Sequence, residues 1–143
     1  IVTVSKISFK YAMAKFYLID FALKGAKDPI KEFIKKFNKN TFMQGIVNDI
    51  KKIKKLKSKF NPIIISRLGM ACSYPGTFNS SIYTIINSKN YKDAILKTIK
   101  AGGCNCSRAN FVGAYFASLK GINSIPKSWI KKTIPAKKIL NQK

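Results

Sequence analysis

Seven apolar residues between positions 42 and 56 recur at three- and four-residue steps: Phe42, Met43, Ile46, Val47, Ile50, Ile53 and Leu56. That spacing follows the 3.6-residue turn of an α-helix and cannot line one face of a strand. Lys51, Lys52, Lys54, Lys55 and Lys57 fall on the other side. Thr41 reads as the cap that opens this helix. A basic amphipathic helix of this kind either keeps a solvated lysine face or meets a membrane or an acidic partner.

The same period runs through the rest of the chain, so the expected fold class is all-α. Residues from about Ser8 to Leu23 are apolar on nearly every face, which suits a helix buried in a larger body, and Gly25 ends it. Asp28-Pro29 gives an N-cap followed by proline at the first helical position, opening a short helix through Phe37. Ile63-Ile64-Ile65 fits a short buried strand or the start of a buried helix, and periodicity does not separate the two. Further helical patterns cover Asn79 to Ile86, Lys89 to Lys100 and Arg108 to Lys120, with a turn at Tyr74-Pro75-Gly76. Ser124-Ile125-Pro126 leads into a last short helix bearing Trp129 and Ile130. The lysine-rich tail, 134–143, is expected to fray.

Charge narrows the partners. The 143 residues hold 28 Lys+Arg against 5 Asp+Glu, a formal net charge of +23. Only Arg67 and Arg108 are arginine. Base readout favours the planar guanidinium, whereas lysine is a point charge, so the excess does not mark specific nucleic-acid recognition. It reads either as drift in an A/T-rich coding sequence or as a surface for polyanions.

Hydrophobic residues make up 46%, enough for one domain with a core. The most apolar early stretch, Tyr11 to Leu23, is broken by Lys15 and Asp20 and is too short for a membrane span. Cys72, Cys104 and Cys106, uneven in spacing and odd in number, point to reduced thiols and an intracellular, cytoplasmic setting. The chain opens on Ile1 rather than Met, which fits an incomplete or processed sequence.

Chemistry concentrates at Ala101-Gly102-Gly103-Cys104-Asn105-Cys106-Ser107-Arg108. Paired glycines turn the backbone where a side chain would clash, and a helix start aims free N–H groups at an anion. Three uses of the thiols are open. Zinc wants four ligands, and the chain has no histidine and no fourth thiol. A reactive thiol beside Arg108 lacks an ordinary general base. Small side chains packed into a tight helix junction need neither. Arg108 is either a tie to loop carbonyls or a ligand clamp.

From Gly69 to Thr133 the order of features resembles the C-terminal part of the ADP-ribosylglycohydrolase family, in its J1 crystallin-like branch. The residues are GMACSYPGTF, then YKDAILKTIKAGGCNCSRANFVGAYFASLKG, then Ile125-Pro126 and Trp129. The resemblance implies a compact helical bundle about twice this length, of which residues 1–143 would be a single incomplete domain, its C-terminal portion. It also implies that active relatives bind two magnesium ions and cleave the glycosidic bond between ADP-ribose and a modified side chain. Their ligands come from an N-terminal acidic cluster and a Gly-Gly-Asp-x-Asp-Thr loop. In this chain Cys104 and Cys106 stand at the two carboxylate positions and Ser107 at the threonine.

Magnesium wants oxygen ligands, and thiols are poor substitutes. Asp20, Asp28, Glu32, Asp49 and Asp93 lie on separate segments and form no paired motif. The expectation is therefore a catalytically silent, crystallin-like protein with no catalytic residue and no retained magnesium site. Gly102, Gly103, Asn105, Ser107 and Arg108 are the candidate contacts for ADP-ribose or another phosphate-bearing molecule. Activity would return only if a missing N-terminal half supplied metal ligands. A lysine-rich polyanion binder is the reading from another class.

Overall fold

The computed structural model describes residues 5–57 and 59–141. Among them there is no strand, and the elements are helices throughout: α1 (Lys6–Leu23), α2 (Pro29–Phe37), α3 (Gln44–Lys55), α4 (Pro62–Leu68), α5 (Gly76–Ile86), α6 (Tyr91–Lys100), α7 (Asn105–Lys120), α8 (Lys127–Lys132) and α9 (Ala136–Leu140). A single 3-10 turn, Ile122–Ser124, links α7 to α8.

Local chemistry sets the starts of α1, α2, α4 and α6. The side chains of Ser5, Asp28, Asn61 and Asn90 each accept a hydrogen bond from a backbone N–H in the first turn of the helix that follows. Proline occupies the first position of α2 and of α4, where no N–H is needed. The expected cap at Thr41 is wrong. Asn40 Oδ1 captures the Met43 N–H at 2.9 Å, residues 41–43 become a turn, and the helix begins at Gln44. Ile63-Ile64-Ile65 is helical, and only Ile65 is buried; Ile63 is 60% exposed.

Two further expectations change. The α1 helix is not enclosed, since Phe9, Phe16 and Leu23 face outward while Ala14, Leu18 and Ala22 are buried. The tail is not wholly frayed, because α9 forms within it; Gln142 and Lys143 lie outside the described residues.

Helix α5 stands at the centre and packs against α3, α4, α6 and α7. Phe78, Ile82 and Tyr83 on it are fully buried. Four of its neighbouring hydroxyls, Ser80, Ser81, Thr84 and Ser88, donate to carbonyls four residues back, at 2.6–2.9 Å. Polar side chains thereby enter the core without needing partners elsewhere. Helix α7 lies beside α1, α5 and α6, and buries Phe111, Val112, Tyr115 and Phe116. Gly113 lets α6 approach: a Cβ there would stand 3.4 Å from the Tyr91 hydroxyl. This packing carries the start of α7 to the turn that precedes α5.

Candidate functional site

The Gly-Gly loop between α6 and α7 lies against the turn that joins α4 to α5. Helix α7 starts three residues earlier than its apolar pattern suggests, so Asn105, Cys106 and Ser107 form its first turn rather than a loop. Gly102 and Gly103 have φ of +73° and +69°, a left-handed conformation that suits glycine. At Gly103 the space also demands it, because a Cβ would stand 2.7 Å from both Cβ and the carbonyl oxygen of Met70.

That closeness lets the Cys104 N–H donate to the Met70 carbonyl at 2.8 Å. The two chain segments are then near enough for Cys72 and Cys104, 5.6 Å apart at Cα, to form a disulfide. The reduced state expected for these two thiols is corrected accordingly. Cys106 alone is free, and it is exposed. Sequence spacing held no signal for this pairing, since it depends on which loops meet. The Ser107 hydroxyl sits 3.2 Å from the Cys104 sulfur.

Arg108 is fully buried. Its guanidinium turns back to the C-terminal end of α6, where carbonyls lack helical partners. It donates to Thr98 O (3.4 Å), Gly102 O, Met70 O (3.3 Å) and Asn105 Oδ1 (2.9 Å). Its Nε, also buried, has no hydrogen-bond partner among the described residues. Burial lowers the pKa of the guanidinium from its ordinary value. A cation at the negative end of a helix is well placed. One side chain thus joins α6, α7 and the turn before α5.

Lys15, which entered the sequence reading only as a break in an apolar stretch, also reaches this region. Its ammonium donates to the Tyr74 hydroxyl at 3.2 Å and stands over the Phe111 ring at 5.4 Å. Tyr74 stacks on Tyr11 with ring centres 4.9 Å apart. The structure therefore brings Gly102, Gly103, Asn105, Ser107 and Arg108 together, and adds Met70, Cys72, Tyr74 and Lys15 around them. Among the described residues no three Cys, Asp or Glu side chains gather where one ion would sit.

The sequence pattern of the ADP-ribosylglycohydrolase family matches residues 6–141, nearly the whole chain. The chain belongs to the ADP-ribosylglycohydrolase family. Within it the similarity is to the J1 crystallins. Crystallin J1A of Tripedalia cystophora is 36% identical over 69 residues, 48% of this chain and 21% of that protein. Crystallin J1B of the same animal is 29% identical over 84 residues, 59% of this chain and 26% of that protein. The match thus spans about a quarter or less of the length of these curated relatives. No solved structure matches. This ADP-ribosylglycohydrolase relative has an all-α fold, and no helix among its described residues is long and apolar enough to cross a membrane.

Proposed function

We propose that this chain is a crystallin-like, catalytically silent ADP-ribosylglycohydrolase relative in which the Gly102–Arg108 segment is a structural junction. The observation that carries this reading is the place of Arg108. Its guanidinium is a built-in cation, and the oxygens of Met70, Thr98, Gly102 and Asn105 surround it. A magnesium ion at the same place would meet a positive charge and carbonyls already engaged.

The donors that remain do not suit magnesium. Cys104 is bound to Cys72, Cys106 offers a thiol, and Ser107 offers one hydroxyl. A hard divalent cation needs several oxygens in a near-octahedral shell. These residues offer magnesium too few oxygens and supply no base to activate water.

A second reading rests on the exposed Gly103 and Cys106 beside a first turn of α7 that carries no acidic side chain. Such a helix start accepts a phosphate through backbone N–H groups. ADP-ribose is the ligand the family suggests.

Calorimetry separates these readings. Titration with magnesium chloride is expected to give no binding heat, and incubation with an ADP-ribosylated peptide no release of ADP-ribose. Saturable heat with ADP-ribose, lost on Cys106→Glu with helicity intact, would establish the second reading. Magnesium-dependent release of ADP-ribose would overturn the proposal.

A further inference from the structure

The Cys72–Cys104 bridge joins two unlike sulfurs. Cys72 lies on the turn between α4 and α5, among the exposed residues Ala71, Ser73 and Pro75. Cys104 is half-buried and holds the N-cap position of α7, a helix of 16 residues. In α1, α2, α4 and α6 a side-chain oxygen accepts from the first turn, whereas α7 has no side-chain cap. That first turn also carries no acidic side chain. The Ser107 hydroxyl lies 3.2 Å from the Cys104 sulfur, and since a disulfide sulfur has no hydrogen, the hydroxyl is the donor.

These surroundings favour a negative charge on Cys104. A thiolate there would supply the cap that α7 lacks, at the positive end of the helix, and would keep the Ser107 hydrogen bond with charge added. Cys72 offers access instead. Thiol–disulfide exchange is fastest when the accessible sulfur is attacked and the better stabilised thiolate leaves.

We propose that this bridge is a reversible exchange site for a small acidic thiol of the glutathione class. The glutathione thiolate attacks Cys72 Sγ. A new S–S bond forms there as the Cys72–Cys104 bond breaks, and Cys104 leaves with the electron pair. A second glutathione thiolate attacks the sulfur of the bound glutathione, releasing Cys72 as a thiolate and oxidised glutathione; the two thiols supply the two electrons. Return attack by Cys104 on the Cys72 sulfur instead re-forms the bridge and expels glutathione. The formal charge of +23 favours an acidic tripeptide over a basic thiol. Opening leaves the junction in place, because the Met70 carbonyl still accepts from the Cys104 N–H at 2.8 Å and from Arg108 at 3.3 Å.

The test uses the full chain with Cys106→Ser, which removes the exposed free thiol. The folded protein is incubated with excess reduced glutathione and quenched at intervals with N-ethylmaleimide. Peptide mapping then reads which sulfur carries which group. At early times glutathione is expected on Cys72 and maleimide on Cys104, with circular dichroism unchanged. Ser107→Ala is expected to slow opening roughly threefold or more, and Ser107→Thr, which keeps a hydroxyl, to restore it. Glutathione on Cys104 instead overturns the proposal, as does a bridge that stays intact or opens only with loss of helicity. An unchanged rate in Ser107→Ala overturns it as well. The map of the Cys106→Ser chain decides the matter even if Ser107→Ala fails to fold.

Discussion

Gly103 and Met70 stand so close that a single added methyl group at 103 would lie 2.7 Å from the Met70 carbonyl oxygen. Gly103→Ala therefore meets two penalties, a left-handed backbone and a collision with main chain that cannot swing aside. We expect it to destabilise the protein by about 2–3 kcal/mol in urea denaturation. Gly25→Ala is the control. Its φ of +83° carries the same backbone strain, but nothing lies within 4 Å, so the loss should be nearer 1 kcal/mol.

Removing the buried guanidinium should cost more than its charge suggests. In Arg108→Met the Thr98 and Gly102 carbonyls lose the partner that Arg108 gives them, and a loss of about 2–4 kcal/mol is expected from the urea midpoint. Arg108→Lys should recover little of it, because an ammonium cannot span acceptors on three chain segments as the planar fork does.

The disulfide closes a loop with a sequence separation of 32. Reduction, or Cys72→Ser, is expected to remove about 3 kcal/mol by releasing the unfolded chain. Iodoacetamide applied to the native, unreduced protein should modify only Cys106, as read by intact mass and peptide mapping.

Asp93 gives a pH signature. Burial alone would raise its carboxyl, but hydrogen bonds from the Lys97 ammonium and the Lys89 N–H, with the nearby positive charge of both lysines, hold it below the ordinary carboxylate value. A carboxylate depressed in the folded state stabilises above its unfolded pKa, and that stabilisation is lost as pH falls through the folded value. Melting temperature should therefore drop below about pH 4. In Asp93→Asn the Asp93 contribution to that acid drop should be absent.

The sequence made some parts of this fold plain and hid others. Asp28-Pro29 opens α2 as read, because an N-cap and the proline after it act within one turn and need no distant partner. Asn40 and Thr41 are both competent caps, and the contest between neighbours is decided by which oxygen reaches the Met43 N–H. The Gly-Gly junction stood out through its own residues. Its contents did not: Cys72 lies 32 residues from Cys104, and Met70, whose carbonyl receives both the Cys104 N–H and Arg108, is a main-chain partner that no side-chain pattern announces. Residues 8–23 read as apolar on nearly every face, but the helical period alone does not say that Ala14 and Leu18 are covered while Phe9 and Phe16 are not.

The hydroxyls along α5 have a consequence for how this bundle can change. Because Ser80, Ser81 and Thr84 are satisfied by the backbone of their own helix, they set no polar condition on the side chains beside them. Tyr83 is an exception, since its hydroxyl accepts the Asn61 N–H at the start of α4 at 3.1 Å. A substitution beside these three hydroxyls is thus screened for size and not for hydrogen bonding, and a centre of this kind leaves the side chains around it free to diverge in sequence while the helices keep their places.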